Sequence, residues 1–132
     1  MRRILVIDDE PFVLEALKRV LATTAAAVIG TSTAEAGLAA MHESPVDLVI
    51  IDVILPGMDG VAAIKTIRQH YPAVRIIAMS GGGKFGLDAY LPEAISTNAY
   101  LAACKAAGAD AILAKPFETS ELRSLIEQVQ TA

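Results

Sequence analysis

Five short apolar runs alternate with stretches whose apolar residues recur at helical spacing, the pattern of repeated βαβ units and a parallel sheet. The runs cover Ile4 to Ile7, Ala26 to Gly30, Val46 to Val53, Arg75 to Ser80 and Ala111 to Ala114. The third, VDLVIID, carries β-branched residues on both faces, as suits a central strand with helices above and below. Between the runs, Val13, Leu14, Leu17, Val20 and Leu21 line one helix behind Pro11, where proline suits the first turn. Leu38 and Met41 lie on a second helix, which Ser32 and Glu35 are expected to open as a capping box although Gly37 weakens it. Val61, Ile64 and Ile67 line a third, which Asp59 is expected to cap and Tyr71 and Pro72 to close. Helical character returns from about Thr97 to Ala107 with Leu101 and Cys104 on one face, and the final helix presents Leu122, Leu125, Ile126 and Val129. This predicts an α/β fold, a parallel sheet of five strands with helices on both faces, in one domain over residues 1–132.

Composition narrows the class. With 132 residues, 54% of them hydrophobic, the chain can bury a core without disulfides or metal. No apolar run spans a membrane, and Asp8, Asp9 and Glu10 cut the first one far too early for a signal peptide, leaving Arg2 and Arg3 as solvated flanks. The single cysteine, Cys104, reads as a packed thiol in a reducing compartment, so a cytoplasmic protein is expected. A net charge of -4 without a basic stripe argues against nucleic acid as a partner. His42 and His70 lack metal-ligand partners at useful spacing and read as solvated helix-end residues, and Met79 as strand core. GGGK at Gly81 to Lys84 is no Walker loop, because Ala78 stands where the first glycine belongs and Phe85 where the Ser or Thr belongs.

The chemistry lies at the strand ends. Asp8 and Asp9 follow strand one, Asp52 ends strand three, Ser80 strand four, and Lys115 follows strand five. Right-handed crossovers bring all these ends to one edge of a parallel sheet, which is where open α/β folds bind ligands. Two carboxylates about 4 Å apart repel by ~4 kcal/mol at an effective dielectric of about 20, so clustered acids call for a proton or a cation. Oxygen donors alone favour Mg²⁺, which uses one or two carboxylates and leaves another aspartate as a nucleophile toward a phosphoryl group. Asp52, on the central strand, is the best placed. Lys115, the Ser80 hydroxyl and the Gly81 backbone N–H supply what the charge on a phosphoryl group in transfer needs. Asp8 and Asp9 also have a plain alternative as helix-capping acids.

The segments ILVIDDEP, VDLVIIDVILPGMDG, IIAMSG and GADAILAKPF, in this order and nearly this spacing, resemble the receiver domains of bacterial two-component response regulators across almost the whole chain. The resemblance implies a doubly wound sheet of order 2-1-3-4-5 and Asp52 as phosphoacceptor, with Asp8, Asp9, Asp52 and the Ile54 backbone carbonyl around Mg²⁺. It implies Ser80 as the switch hydroxyl, Lys115 as the phosphate-binding lysine, and a cis bond between Lys115 and Pro116. The expected phosphoryl donor is a sensor histidine kinase or a histidine phosphotransfer protein, with a downstream protein partner and a homodimer left open. The chain is then a signalling module rather than an enzyme, catalysing only its own phosphotransfer and dephosphorylation. Because no output domain follows the last helix, it is expected to act by binding another protein or passing the phosphoryl group on, unless it is a receiver excised from a larger protein. Two departures stand out. Ile112 occupies a position where the family often has a switching aromatic, and the connection at about 81–96 is longer than usual by ~12 residues. The rival readings are a phosphatase of the haloacid dehalogenase type, whose signature pairs two aspartates around one residue, and an unphosphorylated pseudo-receiver, which the full set of Asp8, Asp9, Asp52, Ser80 and Lys115 argues against.

Overall fold

The computed structural model describes residues 3–24, 26–53, 59–80, 102–115 and 117–131. Its order is β1 (Arg3–Ile7), α1 (Pro11–Leu21), β2 (Ala27–Thr31), α2 (Ala34–Glu43), β3 (Leu48–Asp52), α3 (Gly60–His70), β4 (Arg75–Ser80), α4 (residues 102–107), β5 (Ala111–Ala114) and α5 (Thr119–Thr131). The strands form one parallel sheet, as the alternating pattern predicts, in the order β2-β1-β3-β4-β5 that the resemblance implies. Strands four and five have the expected bounds; β2 is displaced by one residue and β3 is shorter than the apolar run that contains it.

Period-two alternation divides the core into two layers. Leu5, Ile7, Val49, Ile51, Ile76 and Ala78 face Met41 of α2, Ile64 and Ile67 of α3, and Cys104 of α4. Ile4, Val6, Leu48, Ile50, Ile77 and Met79 face Leu17 and Leu21 of α1 and Leu122, Ile126 and Val129 of α5. The consecutive apolar residues of β3 are all buried because each alternate side chain serves a different layer.

Two local expectations need correction. Thr33, not Ser32, opens α2: it is the extended residue at the helix entry, and its side chain accepts a hydrogen bond from the Ala36 N–H at 3.1 Å. Arg3 is more than a solvated flank. It begins β1, its N–H donates to Asp47 Oδ2 at 2.9 Å, and its guanidinium donates to the Pro45 carbonyl at 3.0 Å, tying the starts of β1 and β3 together.

The amino edge of the sheet is closed further along by Arg68, at the end of α3. Its guanidinium donates to the carbonyls of Pro72, Val74 and Gly108 and to Asp110 Oδ2, at 2.7–3.0 Å. Asp110 Oδ2 also accepts from the Ile76 N–H at 2.8 Å, so one carboxylate oxygen joins α3 to the starts of β4 and β5. Gly108 makes the turn before β5 with φ 130°, and a Cβ there would stand 3.0 Å from the Arg68 side chain. Both the backbone angle and the close approach require glycine.

Cys104 is buried, as expected of a packed thiol, and burial pushes it up to about 11, with the charge of Asp59 adding to the effect. The folded state thus holds this proton more tightly than the unfolded chain, and its contribution to stability is lost as pH rises from 9.0 toward about 11. The urea midpoint of the wild type is expected to fall more between about pH 8 and about pH 10 than that of Cys104→Ala. Equal decreases would assign the alkaline loss to other groups.

Candidate functional site at the carboxyl edge

Strand register sets the site. Ile7 pairs with Ile51 and Asp52 with Met79, while Ser80 pairs with Ala114, so Asp8, Asp52 and Lys115 leave the sheet side by side. Asp8 and Asp52 are the buried acidic residues among those described. The Asp8 backbone N–H donates to the Thr31 carbonyl at 3.0 Å, and Asp8 Oδ1 accepts from the Glu10 N–H at 2.8 Å, fixing the turn from β1 into α1. The capping alternative for Asp8 therefore accounts for one oxygen only, and Oδ2 is turned toward Lys115.

The Lys115 ammonium is the hub. Its Nζ lies 2.8 Å from Asp8 Oδ2, 2.9 Å from Asp52 Oδ2 and 3.1 Å from Glu10 Oε1. It donates hydrogen bonds to Asp52 and Glu10, whereas Asp8 Oδ2 is buried without an aligned hydrogen bond and pairs through charge alone. Burial pulls the lysine toward neutrality, but the carboxylates of Asp8 and Asp52 outweigh it and hold its pKa above the ordinary lysine range. The two buried carboxylates thus favour the charged ammonium.

Sequence reasoning missed Glu10. It stands at the entry to α1, directly before Pro11, yet its side chain does not cap the helix. A residue poorly suited to capping at a cap position was the available signal. Asp9 is exposed and lies outside the group around Lys115. Ser80 ends β4, and Ile112 is partly buried against the α2, α3 and α4 layer, opposite Ala78 in the sheet. Ile54, Gly81, Pro116 and the connection at 81–96 lie outside the described residues. Asp59 caps α3 as expected, accepting from the Val61 N–H at 3.4 Å, and His42 and His70 are exposed.

The donor set fits a hard divalent cation. Carboxylate oxygens of Asp8, Glu10 and Asp52 come within 4.8 Å of one another, all three are oxygen donors, and the buried Asp8 Oδ2 lacks a hydrogen-bond partner among the described residues. One ammonium faces three carboxylates.

A doubly wound sheet with a lysine-bridged acidic group at its carboxyl edge defines the class of protein. The sequence model of the response regulator receiver domain matches residues 4–127, and the chain belongs to that family, the phosphoacceptor signalling module of two-component systems. It is 30% identical to the chemotaxis protein CheY of Thermotoga maritima over 129 residues, covering 97% of each chain. It is 31% identical over 123 residues to the transcriptional regulator NtrC of Salmonella typhimurium, covering 93% of this chain but only 24% of NtrC. A crystal structure of a response regulator receiver domain protein from Clostridium thermocellum superposes with a TM-score of 0.77 at 29% identity, covering 98% of this chain and 94% of that one. Among the described residues, no helix is long and apolar enough to cross a membrane.

Proposed function

We propose that Asp52 accepts a phosphoryl group from a phosphohistidine on a sensor kinase or phosphotransfer protein. The observation that carries this reading is the 2.9 Å pairing of Lys115 Nζ with Asp52 Oδ2 in a site where both side chains are almost fully buried. An ionised carboxylate at the end of the central strand is the nucleophile. Its oxygen forms the new P–O bond while the donor's P–N bond breaks and the imidazole leaves with the electron pair. Lys115, already charged and already in place, turns its N–H groups to the phosphoryl oxygens without the cost of ordering a long side chain. Ser80, at the end of the neighbouring strand, supplies the hydroxyl that follows the phosphoryl group.

The receiver pattern points to Asp8, Asp9, Asp52 and the Ile54 carbonyl as the residues that would hold Mg²⁺, and of these Asp8 and Asp52 lie together with Glu10 at the carboxyl edge. When bound, the ion neutralises charge on the phosphoryl oxygens and offsets the repulsion between acids. Phe12, 87% exposed two residues past Glu10, gives the rim an apolar contact for the donor protein. Output runs through a second protein that binds the phosphorylated surface or receives the phosphoryl group. A cytoplasmic setting goes with this reading.

The test is intact-protein mass spectrometry after incubation with acetyl phosphate. One phosphoryl group per chain is expected with Mg²⁺ and none after chelation. Uptake that is indifferent to chelation would remove the cation from the reading.

A further inference from the structure

Lys115 has three N–H groups and three carboxylates around it, and the three contacts differ in kind. Asp8 and Asp52 side chains are 0% and 5% exposed and fixed at strand ends, whereas that of Glu10 is 34% exposed and reaches in from the rim. Glu10 occupies the entry position of α1 but makes no capping hydrogen bond there. Its backbone N–H is spent on Asp8 Oδ1, which anchors the residue, and its carboxylate is spent on Lys115 at 3.1 Å. The side chain is held at its base by one site residue and grips another at its tip.

We propose that Glu10 is a positioning residue that tethers the Lys115 ammonium toward the rim of the unphosphorylated site and so slows phosphoryl uptake. The inference rests on the reading of Asp52 as phosphoacceptor. When Asp52 forms the P–O bond, the charge on its carboxylate moves outward to the phosphoryl oxygens, and Lys115 must turn to follow it. Asp8, 2.8 Å from Nζ and fixed at the end of β1, holds the ammonium as well. Glu10 adds a restraint that substitution can release, because its acceptor competes with the phosphoryl oxygens for the same N–H groups. Releasing an ion pair that is exposed only on its Glu10 side corresponds to an effect of about fivefold.

Two substitutions separate the tether from simple charge. Glu10→Gln keeps the shape and removes the charge. Glu10→Asp keeps the charge but is one methylene shorter, and aspartate is a preferred helix cap, so its carboxylate is drawn onto the N–H groups of α1 and away from Lys115. With acetyl phosphate at saturating Mg²⁺, which compensates for any share Glu10 has in holding the ion, both variants are expected to take up the phosphoryl group about fivefold faster than wild type. A wild-type rate in Glu10→Asp beside a fast Glu10→Gln would show that charge alone matters, and overturns the tether. Rates at or below wild type in both also overturn it. A wild-type protein that takes up nothing refutes the Asp52 reading instead, which keeps the two failures distinct.

Discussion

Asp52→Asn is expected to lose phosphoryl uptake to background, a fall of at least ~100-fold, while remaining folded. The amide keeps the shape of the carboxylate and can still accept a hydrogen bond from Lys115, now 2.9 Å from Asp52 Oδ2, but its oxygen is a poor nucleophile. Asp8 and Glu10 remain beside the ammonium, so Lys115 stays paired and the core is not left with a lone buried charge. Intact-protein mass after acetyl phosphate and Mg²⁺ gives the answer. Stoichiometric labelling of the asparagine variant would move the nucleophile to Asp8 or Glu10, the two other carboxylates within reach.

Gly60→Ala is expected to destabilise the protein by about 3 kcal/mol, far more than glycine-to-alanine exchange at an ordinary helical position. Gly60 is the first residue of α3, and a Cβ built there falls against the Val53 carbonyl oxygen and 2.5 Å from Val53 Cα. The obstruction is backbone, so no rotamer relieves it. Val53 immediately follows Asp52, and its N–H continues the ladder to Met79 at 3.1 Å, so relief requires moving the end of β3 itself. Slower phosphoryl uptake should accompany the lost stability. A urea midpoint within error of wild type would show that α3 shifts freely on the sheet.

Much of this architecture was legible because a doubly wound parallel sheet leaves few choices. Once β1, β3 and β5 are recognised as apolar runs, their carboxyl ends must share an edge, and Asp8, Asp52 and Lys115 must approach one another. What escaped is what local pattern cannot encode. The choice of Thr33 over Ser32 as cap turns on which of two adjacent hydroxyl residues takes the extended angles at the helix entry. The direction of Glu10 depends on the ammonium it meets, 105 residues away in sequence. Arg68 carries no motif, since its partners at Gly108 and Asp110 join only when two loops fold together.

The Arg68 knot has a mechanical consequence for the opposite edge. It clamps β4 and β5 at their starts, through Ile76 and Asp110, while the chemistry stands at their far ends. With their starts pinned by Arg68 and Asp110 and their far ends laddered to β3 and to each other, β4 and β5 are held along their whole length, so the backbone positions that carry Ser80 and Lys115 are set against Asp52 from both ends of the sheet.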